Sequence, residues 1–129
     1  MATVVIGYVP KPEGDAALLA GIEEARRRDA RLVVVHALLD HDRAPSYLTE
    51  VETALGESGL EHDLRVVERT DDASDDLVDV AEEVDADLIV IGLRRRSPVG
   101  KLILGSNAQR VLLDAPCPVL TVKPRTGRH

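Results

Sequence analysis

Residues 86–123 read ADLIVIGLRRRSPVGKLILGSNAQRVLLDAPCPVLTVK. A short apolar run, Asp87–Gly92, ends in glycine and opens onto a basic stretch. Gly105-Ser106 then precedes a segment in which Ala108, Val111, Leu112 and Ala115 recur at helical spacing. Pro116-Cys117-Pro118 breaks that helix, and a second apolar run, Pro118–Lys123, follows. The order strand, loop, helix, strand is one unit of a parallel α/β sheet. Both runs are rich in Val, Ile and Leu without alternation, as expected of strands covered by helices on both faces.

The same grammar extends towards the N-terminus. Thr3–Tyr8, Arg31–Leu38 and the weaker, alternating Asp63–Glu68 are further strand candidates. Between them lie helical stripes: Leu18, Ile22 and Ala25 in one segment, Leu77, Val80, Ala81 and Val84 in another. Ser74 reads as an N-cap with Asp75 and Asp76 in the first turn behind it. After Pro45 a helix is expected through Tyr47, Val51 and Leu55, ended by Gly56 or Gly59. No internal repeat or linker interrupts the pattern, so residues 1–129 read as one domain. In an open sheet of this kind ligands sit beyond the carboxyl ends of the strands, where strand order reverses. The loops Val9–Gly14 and Leu93–Gly105 are the candidates to meet there.

Composition narrows the function classes. No apolar run nears the roughly 20 residues of a membrane span, the start MATVVIGYVP lacks signal-peptide features, and a single cysteine, Cys117, cannot form an internal disulfide. These features favour the cytoplasm. The aromatics are Tyr8 and Tyr47, with no Phe or Trp, too few for a base-stacking platform. Residues 1–92 carry 8 Lys/Arg against 22 Asp/Glu, and residues 93–129 carry 8 Lys/Arg against Asp114 alone. An acidic body repels nucleic acid, while the basic segment suits one small anion.

The basic segment holds the candidate site. Gly105 lets an anion approach the chain, Ser106 can cap the helix and offer its hydroxyl, and the first helical amides lack internal partners. Arg94, Arg95, Arg96 and Lys101 supply countercharge. The alternatives are less favoured. His36 reads as a hydrogen-bonded strand-end residue; His41, His62 and His129 show no metal spacing. Asp71, Asp72, Asp75 and Asp76 lack the calcium-loop order, and Cys117 has no activating neighbour. Neither a nucleophile elbow nor a full Walker motif is present.

The chain resembles the universal stress protein family. The residues that carry the resemblance are Gly92, Gly105 and Ser106, which match a phosphate pattern of Gly, two residues, Gly, nine residues, Gly-Ser; they are joined by LGSNAQRVLLDAPCPVLTVK, ADLIVIG and RLVVVHAL. The resemblance implies a five-stranded parallel sheet of order 3-2-1-4-5, helices on both faces in a Rossmann-like three-layer fold, and a homodimer paired through Val119–Val122. A proline at Leu120 is expected to remove a donor from that edge.

The resemblance also implies a ligand: ATP or another nucleotide, with Mg2+ as a companion ion. Its phosphates would lie against Gly92, Arg94, Arg95, Arg96, Gly105, Ser106 and Asn107, and its base and ribose against Gly7, Tyr8, Val9, Pro10 and Ala37. Two positions depart from the family pattern. Arg95 stands where the second glycine belongs, and it either obstructs the loop or adds a forked phosphate contact. Val9 stands where the family carries a base-reading Asp. The expected function is a nucleotide-responsive regulatory module that is not an enzyme. The alternatives are a slow nucleotide hydrolase or nucleotidyl transferase, and a ligand-free dimeric scaffold.

Overall fold

The computed structural model describes residues 1–38, 46–68, 73–96 and 101–124; at 68, 73, 95, 96, 101 and 102 it describes the backbone alone. The elements run β1 (Thr3–Gly7), α1 (Pro12–Arg28), β2 (Arg31–Leu38), α2 (Tyr47–Ser58), β3 (His62–Glu68), α3 (Ala73–Glu83), β4 (Leu88–Gly92), β5 (Arg94–Arg96), β6 (Lys101–Ile103), α4 (Ser106–Asp114) and β7 (Val119–Val122). Five of these strands form one parallel sheet in the order β3-β2-β1-β4-β7. This is the expected 3-2-1-4-5 arrangement, with β7 as the fifth strand. The remaining two, β5 and β6, form an antiparallel hairpin inside the basic loop, pairing Arg94 with Ile103. The sequence reading treated that stretch as loop, because three arginines in a row carry no apolar alternation.

The sheet is covered on both faces. Successive residues of a strand point to opposite sides, so Val4 and Ile6 join one core and Val5 joins the other. The first core sets Leu32, Val34, Leu88 and Val90 against Ala17, Leu18 and Ile22 of α1 and Leu48, Val51 and Leu55 of α2. The second sets Val33, Val35, Ile89 and Ile91 against Leu77, Val80 and Ala81 of α3 and Val111 of α4. With no Phe or Trp, stability rests on many aliphatic side chains, each contributing about 1.5–3 kcal/mol when fully buried.

Local readings fare unevenly. Gly59 ends α2 in the left-handed conformation at φ 75°, which glycine adopts at little cost. Ser74 is the second residue of α3, one position past its start, and is buried. Ser106 is the first residue of α4; Gly105 occupies the cap position and contributes no side-chain bond. Leu112 falls off the buried stripe and is 40% exposed. The edge strand needs a correction as well. Ile89 N–H donates to the Pro118 carbonyl, and Leu93 N–H to that of Val122. Residues 118, 120 and 122 therefore turn their backbone groups towards β4. The outward donors belong to Val119 and Thr121, so a proline at Leu120 would attack the sheet rather than its free edge.

Candidate functional site

Strand order reverses between β1 and β4: the chain leaves β1 for β2 on one side and returns to β4 on the other. Beyond their carboxyl ends lies a cavity of about 470 Å³. Two glycines admit α1 to this crevice. A Cβ on Gly14 would stand 1.7 Å from the Val9 carbonyl oxygen, and one on Gly92 2.1 Å from that of Glu13. No side chain fits at either place, so the first turn of α1 lies directly against the end of β4. Gly92, which the sequence reading treated as part of a phosphate pattern, is thus required by packing as well.

One end of the cavity is formed at the start of α4, where Gly105, Ser106 and Asn107 line it. Gly105 is extended, and its carbonyl accepts the first helical bond from Gln109 at 3.0 Å. The initial amides of a helix have no intrahelical acceptor and lie at the positive end of its dipole. The Arg94 guanidinium covers this point: its Nε lies 3.7 Å from where a Cβ on Gly105 would stand. The β5–β6 hairpin makes this placement possible by setting Arg94 opposite Ile103, two residues before Gly105. Arg95 and Arg96 share the strand, but their side chains, like that of Lys101, lie outside the described residues.

The opposite wall is apolar. Gly7, Tyr8, Val9, Val35, Ala37 and Leu77 line it. Of the residues expected there, Pro10 does not reach the cavity. Lys11, Glu13 and Ser74 do; the first two lie in the Val9–Gly14 loop expected at the site but were not singled out, and Ser74 was read only as a helix cap. Lys11 follows Pro10 directly, and Glu13 is an acid in the first turn of α1; those were the available signals.

His36 supports the site from behind. Its Nδ1 lies 3.1 Å from the Tyr8 carbonyl, to which only a protonated nitrogen can donate, and its Nε2 lies 2.6 Å from the Tyr47 hydroxyl. This buried bridge holds the end of β1 to β2 and α2, the strand-end role expected of it. The Tyr8 hydroxyl donates to Asp15 at 3.3 Å. Burial, and then the Asp15 carboxylate, push its pKa up to about 12, so it stays protonated.

Burial, followed by the Asp87 carboxylate, raises the Cys117 thiol pKa, opposite to activation. His62 lies 2.9 Å from the Leu60 carbonyl at an exposed position. Asp71, Asp72, His41 and His129 lie outside the described residues. Among the described residues no three His, Cys, Asp or Glu side chains gather as a metal site, and no helix is long and apolar enough to cross a membrane.

A family model described as the universal stress protein family matches residues 1–123. The chain belongs to this family. A universal stress protein of Mycolicibacterium smegmatis is 46% identical over 127 residues, covering 94% of this chain and 97% of that protein. Two solved universal stress proteins share the fold. One, from Archaeoglobus fulgidus in complex with dAMP, is 30% identical with a TM-score of 0.72 over 95% of this chain and 98% of its own. The other, in complex with cAMP, is 29% identical with a TM-score of 0.76 over 96% and 98%. Structures related to this universal stress protein chain therefore hold nucleotides.

Proposed function

We propose that this chain is a regulatory module that binds an adenine nucleotide, or a related phosphate ligand, in the crevice between β1 and β4, and does so without robust catalysis. The observation that carries this reading is the convergence of the α4 start, Gly105 and the Arg94 guanidinium at one end of the cavity. The cavity volume of about 470 Å³ suits a small ligand, since such sites span roughly 300–1,000 Å³. The apolar wall beyond offers a surface for a base, and the relatives with dAMP and cAMP make a nucleotide the leading candidate. Binding is favoured over turnover because the described lining residues place no histidine beside Ser106 or Ser74 and no metal cluster is available among them. Mg2+, where it takes part, would enter on the phosphates of a di- or triphosphate.

Calorimetric titration with AMP and ATP tests this. Ser106→Ala should weaken binding about fivefold, the equivalent of one ordinary hydrogen bond of about 1 kcal/mol. Arg94→Ala should weaken it further, and added salt should narrow the difference between wild type and that variant. Unchanged affinity in both variants would place the ligand elsewhere. Multiple-turnover phosphate release abolished by Ser106→Ala would instead make the protein an enzyme.

A further inference from the structure

Glu13 is the acidic side chain among the described residues that line the cavity. It is 9% exposed, and among the described residues neither a hydrogen bond nor an ion pair reaches its carboxylate. The side chain is not sealed off: its carboxylate oxygens keep access to solvent, so a ligand entering the cavity would replace water as their partner. Its backbone lies close against the end of β4: the Glu13 carbonyl oxygen and Cβ lie 2.1 Å and 2.8 Å from where a Cβ on Gly92 would stand. That contact sets Glu13 at the junction of β1 and β4. The apolar wall of Val35, Ala37 and Leu77 comes from β2 and α3, whereas Arg94 and Gly105 come from the far side of β4. A ligand with its phosphate at α4 and its apolar end on that wall must cross the junction.

An ionised carboxylate only accepts hydrogen bonds, and it repels phosphate. The ligand segment beside Glu13 must therefore be uncharged and carry donors. Two oxygens on one carbon can accept both O–H groups of a vicinal diol. We infer that Glu13 accepts hydrogen bonds from hydroxyl groups in the middle of the ligand, so that the site selects a phosphate carried on a hydroxylated linker: a ribonucleotide over its 2′,3′-dideoxy counterpart. This inference rests on the nucleotide reading above. It assigns Glu13 a specificity role, four residues along from Val9, where the family's usual carboxylate is missing.

The test is calorimetric titration of wild type, Glu13→Gln and Glu13→Ala with AMP and with 2′,3′-dideoxy-AMP, in EDTA and at one ionic strength. Wild type should bind AMP at least about tenfold tighter than the dideoxy compound. Glu13→Ala should bring AMP down to the dideoxy affinity while leaving the dideoxy affinity unchanged or raised. Glu13→Gln keeps one carbonyl acceptor and should fall between; it also carries the test if the alanine variant melts early. Equal affinity of wild type for the two compounds overturns the role of Glu13 and leaves the nucleotide reading standing. So does an equal loss for both compounds in the Glu13 variants, which would mark general damage to the crevice. Binding of neither compound by wild type overturns the nucleotide reading and this inference together.

Discussion

At the residue scale, two glycines of one sequence pattern do different work, and substitution separates them. A methyl group on Gly92 would meet the backbone of α1, which cannot rotate away. Overpacking of this kind costs about 1–3 kcal/mol, and Gly92→Ala should fall near the top of that range. Thermal unfolding followed by circular dichroism should show a drop of several degrees. Among the described residues, the nearest neighbour a methyl group on Gly105 would meet is the Arg94 side chain at 3.7 Å, an ordinary contact, and its φ of −66° suits alanine. Gly105→Ala should keep wild-type stability and lose ligand affinity, because the methyl occupies the approach to the α4 amides. A variant of Gly92 as stable as wild type would mean that α1 does not enter the crevice. A variant of Gly105 with intact affinity would mean that the anion does not sit at α4.

At the element scale, the proposed nucleotide site makes base selectivity depend on the loop between β1 and α1. Val9 is 42% exposed and lines the cavity with an apolar surface. It cannot pair with the amino group of adenine or leave the carbonyl of guanine unsatisfied, the contrast on which strong discrimination depends. Titration with ATP and GTP under the same salt and magnesium should give affinities within about a hundredfold, or roughly 2.7 kcal/mol. A larger preference for ATP would mean that backbone groups or another side chain read the base. The elements also show what could be read in advance. Four of the five parallel strands were legible as aliphatic runs with little alternation, and β3 as the weaker, alternating run at the charged edge. The β5–β6 pair was not, since three successive arginines in β5 present no hydrophobic face. At the site, Gly105, Ser106, Asn107 and Arg94 lie near each other in sequence, so a local pattern pointed to them. Lys11 and Glu13 belong to the Val9–Gly14 loop expected there, although their individual contacts were not legible; Ser74 reaches the cavity through the packing of α3 on the sheet, a relation between distant segments that no local spacing encodes.

At the scale of the whole molecule, the two edges of the sheet differ. On β3, Asp63 and Arg65 are ion-paired, and Arg65 also pairs with Glu83 of α3. A charged edge of this type resists pairing with another chain. On β7 the residues are Val119, Leu120, Thr121 and Val122, all partly exposed, and the outward backbone groups are those of Val119 and Thr121. Leu113 on α4, the helix leading into β7, is 84% exposed. An uncharged edge strand with free donors and acceptors is a template for a second copy, and a two-fold pairing of like edges closes without growing into a fibre. We predict a homodimer at micromolar concentration, seen in sedimentation equilibrium as twice the 14.0 kDa chain mass. Thr121→Pro is the decisive variant. It removes an outward N–H while sparing the bonds to β4, and proline is tolerated on an edge strand. The variant should sediment as a monomer with the far-ultraviolet circular dichroism of wild type. Leu120→Pro, by contrast, should unfold the protein, because its N–H faces β4. A wild-type protein that sediments at 14.0 kDa at these concentrations, or a folded Thr121→Pro variant that remains dimeric, would rule out β7 as the contact.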